Sequence, residues 1–217
     1  MAASIVFGDL IPNGNAATCS HTGTDPGYVC ASGTTFKDDA FTSTFTVQGF
    51  GPGGGIDERA ITLKPLLGSP LDPPGNPFQE SGIGENTDAP PAACSDPDCA
   101  ISAGTSVFVS VDLGLIDDVV IGSVQAGESF NLFTRAGILI GTFTGGMSPE
   151  CSAGPAADTC LITFNPMDSF SVRAVSGNVL LTEVSGTFPA SIPEPGSMML
   201  LGTAIAGLGL LRRRRRM

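Results

Sequence analysis

Between residues 41 and 188, apolar and polar side chains alternate in short runs. In residues 41–47, Phe41, Phe45 and Val47 fall on one side of an extended chain and Thr42, Thr44 and Thr46 on the other. A period of two marks a strand with one face buried. Residues 107–113 repeat it, with Val107, Val109, Val111 and Leu113 as the apolar set and Ser110 and Asp112 opposite. Further runs at 59–64, 119–124, 129–135, 138–144, 160–164, 170–176 and 178–188 are rich in Val, Ile, Phe and Thr. Gly and Asn punctuate them, as at Gly127-Glu128 and Ser176-Gly177-Asn178. About nine strands without a convincing helix before residue 196 predict an all-β body over residues 1–190, folded as an antiparallel β-sandwich. No repeat of fixed period is present, which argues against a propeller or solenoid.

Two segments break the alternation. Residues 65–103 are dense in Pro, Gly, Asp and Asn and long for a structureless loop in a compact domain. They are expected either to hold a short strand and a clipped loop, or to form a binding loop at one end of the sandwich. Residues 191–217 form a second unit: Ser191-Ile192-Pro193-Glu194-Pro195, then fourteen uncharged residues at 198–211, then Arg212, Arg213, Arg214, Arg215, Arg216 and Met217. As a helix, 196–211 would be roughly 24 Å long, short of a hydrocarbon layer of about 30 Å. Snorkelling arginines and local thinning of the bilayer cover the difference, so a single C-terminal transmembrane helix is expected. The positive-inside rule keeps the arginines in the cytoplasm and puts the body on the other side. Gly202, Gly207 and Gly209 give that helix a small-residue face.

Charge sharpens the division. The chain has 217 residues with 10 Lys+Arg against 21 Asp+Glu, a net −11. Half of the basic residues are the terminal arginines, so residues 1–195 hold Lys37, Arg59, Lys64, Arg135 and Arg173 against all 21 acidic groups, a net −16. Nucleic acids and anionic lipid surfaces are bound through basic clusters, which this body lacks. A neutral or cationic partner is expected. The 41% hydrophobic content is too high for a disordered acidic chain.

Six cysteines fall in close pairs, Cys19 with Cys30, Cys94 with Cys99 and Cys151 with Cys160, each among turn-forming residues. Six thiols allow fifteen pairings and the sequence does not choose among them; sequential bonding is an expectation from proximity alone. An even count in loops favours disulfides and an oxidising compartment. The spacing does not favour zinc, because only Cys94 and Cys99 approach a ligand pair and the one histidine, His21, lies elsewhere. Residues 1–7 lack a basic region, and Gly8-Asp9 breaks their apolar run before a signal peptide could form. Cysteines and C-terminus both argue for export, so a leader is expected upstream of this start, or already removed.

No catalytic constellation emerges. His21 has no nucleophile elbow near it, and Gly51-Pro52-Gly53-Gly54-Gly55 lacks the Lys-Ser/Thr and helix of a phosphate loop. Asp57-Glu58, Asp96 with Asp98, and Asp117-Asp118 are the carboxylates for acid–base work on a glycan, without a spacing that predicts the separation required. The Asp96/Asp98 and Asp117-Asp118 pairs are also the nearest approach to a calcium site, with no calcium motif around them. With no Trp and Tyr28 as the one tyrosine, sugar stacking is disfavoured. No cofactor or metal is expected.

Pro193-Glu194-Pro195, the glycine-containing apolar helix and the terminal arginines together resemble the PEP-CTERM protein-sorting signal of Gram-negative, exopolysaccharide-producing bacteria. The resemblance covers about the last 26 residues and keeps all three parts in order. It implies export by the general secretory route, with an inner-membrane intermediate held by the helix. Processing near Pro193-Glu194-Pro195 by an exosortase, an integral-membrane cysteine protease-transpeptidase, would follow. In that scheme Pro193, Glu194 and Pro195 are recognition residues and Arg212 to Arg216 the stop-transfer charge. The segment Gly82-Ile83-Gly84-Glu85-Asn86 is similar to one found in β-sandwich domains that precede this signal. The function expected is therefore a non-enzymatic envelope or extracellular-matrix protein. The alternative is a β-sandwich that binds or degrades polysaccharide, with exopolysaccharide as partner.

Overall fold

The computed structural model describes residues 2–7, 11–12, 19–21, 28–37, 40–52, 58–64, 82–85, 100–152, 154 and 158–190. Nearly all of them are extended. The first half contributes β1 (Ala2–Val6), β2 (Ile11–Pro12), β3 (Cys19–His21), β4 (Tyr28–Cys30), β5 (Thr34–Lys37), β6 (Thr44–Phe50), β7 (Glu58–Arg59), β8 (Ile61–Lys64) and β9 (Gly82–Glu85). The second contributes β10 (Ile101–Ser102), β11 (Ser106–Val111), β12 (Leu115–Gly122), β13 (Ser129–Thr134) and β14 (Leu139–Thr144), one helical turn α1 (Pro149–Ser152), then β15 (Cys160–Met167), β16 (Ser169–Ser176) and β17 (Asn178–Thr187).

These strands form two sheets, and every pairing is antiparallel. Sheet I runs β15-β12-β17-β9-β8-β4-β3, with β1 and β10 also on β17; sheet II runs β14-β13-β16-β11-β6-β5-β2, with β7 on β6. The alternation explains why they face each other. Phe45, Val47, Val107, Val109, Phe130, Leu132, Phe170 and Val172 of sheet II are buried in one cluster with Ile5, Ile61, Leu63, Ile83, Val119, Ile121, Leu181 and Val184 of sheet I. The result is a β-sandwich-like arrangement in which each inward face is apolar and each outward face mostly polar. Phenylalanines dominate the seam. Phe45 meets Phe7 and Phe188 edge-on at 6.4 and 5.3 Å between ring centroids, and Phe130 stacks on Phe143 at 5.4 Å.

Residues 2–7 belong to this body, because β1 runs beside β17 from Ala2 opposite Thr187 to Val6 opposite Glu183, and Ile5 and Phe7 are fully buried. Within 65–103, the described residues include β9 and β10, both paired to β17. Three expectations need correction. Leu113 does not share the buried face of Val111. It is 50% exposed, because β11 ends at Val111 and the chain reverses at Gly114, whose φ of 110° carries it out of the sheet. The strand expected at 41–47 is regular only from Thr44 onward, and Phe41 makes an isolated bridge to Ala190. The strand expected at 119–124 begins earlier, at Leu115, and stops at Gly122 before Ser123 turns to φ 58°.

Candidate functional site

The four described cysteines lie at the two lateral ends of the sandwich. Cys19 and Cys30 stand opposite each other in the β3–β4 ladder and are bonded, S–S 2.03 Å. At the other end Cys151 of α1 is bonded to Cys160, the first residue of β15, S–S 2.02 Å. Cys30 and Cys160 are fully buried, so each bridge joins a surface segment to the core. Among the described residues no cysteine is free. Cys94 and Cys99 lie outside the described residues.

The carboxylates are not gathered into one site. Asp117 is the bulged residue of β12, where the register to both β15 and β17 shifts between Ile116 and Asp118. Asp117 and Asp118 are half-buried on sheet I. Glu58 is on sheet II, where Gln48 Nε2 donates to its Oε1 at 3.5 Å. Asp57, Asp96 and Asp98 lie outside the described residues. Four other carboxylates are committed to local structure. Glu128 accepts from the backbone N–H groups of Gln125 (2.8 Å) and Asn178 (3.3 Å), tying the turn before β13 to the turn between β16 and β17. Asp112 accepts from Thr44 N–H at 2.7 Å, Asp168 from the Ser169 hydroxyl at 2.6 Å, and Glu183 from the Ser4 hydroxyl. Among the described residues no three His, Cys, Asp or Glu side chains come close enough to hold a metal ion. His21 is in β3, in register with Tyr28.

What the pattern of residues left unnoticed is the outward face of sheet II. Strand register aligns Leu139, Phe133, Ser171, Phe108 and Gln48 in one row across five strands. A parallel row holds Thr142, Asn131, Arg173, Ser106 and Phe50. Four strand spacings make each row about 19 Å long. Phe133, Phe108 and Phe50 are half-exposed, and Arg173 is exposed with no hydrogen-bond or ion-pair partner for its side chain among the described residues. Thr142 donates to Asn131 Oδ1 at 2.7 Å. The clue was available: Phe108 falls among the polar positions of its strand, opposite Val107 and Val109.

The body ends in a fixed position. Phe188 is buried, the Pro189 carbonyl accepts from Thr42 N–H (3.0 Å) and from its hydroxyl (3.2 Å), and Ala190 bridges Phe41. Immediately after it, residues 191–216 match the family model of the PEP-CTERM protein-sorting motif. The chain carries a PEP-CTERM sorting signal. The PEP-CTERM motif implies recognition by an exosortase and export to the cell envelope or surface. No curated protein and no solved structure matches the chain. Pro193, Glu194, Pro195 and Arg212 to Arg216 lie within the PEP-CTERM match and outside the described residues. Among the described residues no helix is long and apolar enough to cross a membrane, and residues 198–211 are not among them.

Proposed function

We propose that this chain is a non-enzymatic protein of the cell envelope or extracellular matrix, sorted and cleaved near Pro193-Glu194-Pro195 by an exosortase. Before cleavage, residues 198–211 cross the inner membrane as a helix with the arginines in the cytoplasm; afterwards the acidic β-sandwich is displayed outside. The sorting motif carries this reading. The placement of Ala190 supports it, because the last contacts among the described residues, Thr42 with the Pro189 carbonyl and Phe41 with Ala190, lie immediately before the motif. Two disulfides in the body suit an oxidising destination. The non-enzymatic part draws support from carboxylates bound up in turns and strand ends.

The test is the intact mass of the mature protein from the native cell surface and medium, beside a variant with Pro193, Glu194 and Pro195 replaced by alanine. The native chain is expected to lack the apolar segment and the arginines, and the variant to keep them. A native chain that retains residues 196–217 would make the tail a permanent anchor and overturn the processing step.

A second reading, a polysaccharide-binding body, is favoured by the outward face of sheet II. Half-exposed phenyl rings, amides, hydroxyls and a guanidinium without a side-chain partner among the described residues, set in rows on one sheet face, suit an extended sugar chain, whose C–H faces stack on rings while its hydroxyls bond to planar polar groups. Retention on immobilised polysaccharide that is lost in Phe108→Ala and Arg173→Ala, with unchanged melting, would establish it. Equal elution of all three proteins would dismiss it.

A further inference from the structure

Four strands end the two sheet paths, and three are blunted as an exposed strand edge is expected to be. β15 contains Pro166, β2 ends in Pro12, and β3 is three residues long and held by its disulfide to β4. β7, alongside β6, is a two-residue Glu-Arg strand. β1 also has only β17 as a partner, but the Glu183 carboxylate sits against its Ser4. The fourth terminal strand, β14, is different. It has six residues, pairs only with β13, and contains neither proline nor charge. No charged residue occurs from Ala136 to Pro149. Ile138 and Leu139 at its start are 65% and 51% exposed.

β14 is also firmly seated. It registers with β13 from Ser129 opposite Thr144 to Phe133 opposite Leu139, and the Phe143 ring stacks on Phe130 while closing over Gly141. A register shift against β13 leaves Ile140 as an extra residue, and from Gly141 to Thr144 the ladder is regular, so the outer row of backbone donors and acceptors is held in place there. Such a row is a template for another strand.

We propose that this edge pairs with the same edge of a second copy of the chain, antiparallel about a two-fold axis near Gly141 and Thr142, joining two copies of sheet II into one continuous sheet. Two features on the page select a second copy. The first is electrostatic. A body of net −16 repels its own kind, but exposed charges farther apart than about 8–10 Å are largely screened at physiological salt. Two copies therefore meet at least cost along a stretch free of carboxylates. The second is polarity. The uncharged stretch is bounded by Arg135 at one end and Glu150 at the other, and an antiparallel two-fold brings the arginine end of each copy to the glutamate end of its partner. A two-fold contact of this kind closes as a dimer and leaves no further edge of the same type.

The experiment is sedimentation velocity of the full chain in detergent over a concentration series, with Thr142→Lys, Thr142→Glu, their equimolar mixture, and Met147→Lys. Met147 is 79% exposed and lies just beyond the strand. The native chain and Met147→Lys are expected to dimerise alike. Each Thr142 variant alone should dimerise about tenfold more weakly or worse, since a two-fold sets like charges against each other, and the mixture should regain most of the affinity. Hydrogen exchange of the native chain gives a reading independent of any substitution: β14 amides not bonded to β13 should gain protection as concentration rises. A monomer at every concentration overturns the proposal. So does a dimer that both Thr142 variants leave intact, since its contact would then lie elsewhere than β14.

Discussion

The two halves of the body build the same two layers in different ways. From β10 onward, seven of the eight strands are six to ten residues long; before it, only β6 exceeds five. In the second half β12 pairs with β15 and β17, β13 with β14 and β16, and β11 with β16, so both layers are complete from their own neighbours. The first half extends both sheets sideways with short strands and joins the second through β6 on β11 and through β1 and β9 on β17. The difference teaches where stability is stored. Long, fully paired strands around a shared core open only with the whole fold, whereas short strands at a flank can open by themselves.

The largest effect should come from emptying the core on each side of that division. Phe170 and Phe36 are both fully buried, and truncating either to alanine should cost about 3–5 kcal/mol locally. Phe170→Ala is expected to lower the urea midpoint of the entire body. Phe36→Ala should instead release the amides of β2, β5 and the start of β6 while those of β12, β16 and β17 keep their protection in hydrogen exchange. Uniform loss of protection in both variants would break the distinction between the halves.

Next in size are the disulfides. Removing either bridge by a double Cys→Ser change should cost about 2–3 kcal/mol on the chain-entropy estimate for loops of about ten residues. The two are expected to differ in extent. Without Cys19–Cys30, only β3 and β4 should lose protection; without Cys151–Cys160, β15 should open and unpair one side of β12.

Smaller again is the cost of turns. Gly33 and Gly114 both hold positive φ, 79° and 110°, and alanine at either incurs about 1–2 kcal/mol of backbone strain. At Gly33 nothing lies within 4 Å of the added carbon, whereas at Gly114 it would strike the Thr187 carbonyl and the Phe188 ring. Gly114→Ala should therefore lower the melting temperature clearly more than Gly33→Ala.

The same division governs how much could be read from residue order. Long strands such as β11, β13 and β16 announce themselves because each has several consecutive in–out pairs, and Val107, Val109 and Val111 are buried as their spacing requires. Two- and three-residue strands such as β2 and β3 contain no full period, so nothing in their composition separates them from loop. Leu113 misled because alternation carries no information about where a strand stops; the stop is set by Gly114 packing against β17. The sorting motif was legible for the opposite reason: it is read as a linear string and needs no fold. The rows of Phe133, Phe108, Asn131 and Arg173 were not, since they exist only after β13, β16 and β11 have paired.

The finest test lies at the seam between the halves. Thr44 begins β6, and its N–H donates to Asp112 Oδ1 at 2.7 Å while its carbonyl accepts from Asp112 N–H at 3.1 Å. Next to it, the buried Ser43 hydroxyl donates to the Leu113 carbonyl at 2.6 Å. These contacts hold the first residues of β6 to the end of β11, where the flanking half meets the complete one. Asp112 is exposed, so its loss should be small in free energy, about 0.5–1.5 kcal/mol for Asp112→Ala. Asp112→Asn keeps the acceptor oxygen and should be close to neutral in the urea midpoint. The informative readout is local: Asp112→Ala should speed exchange of the Thr44 amide and its β6 neighbours without touching β13 or β17. If Asp112→Ala and Asp112→Asn shift the midpoint equally, negative charge rather than the hydrogen bond joins the two halves here.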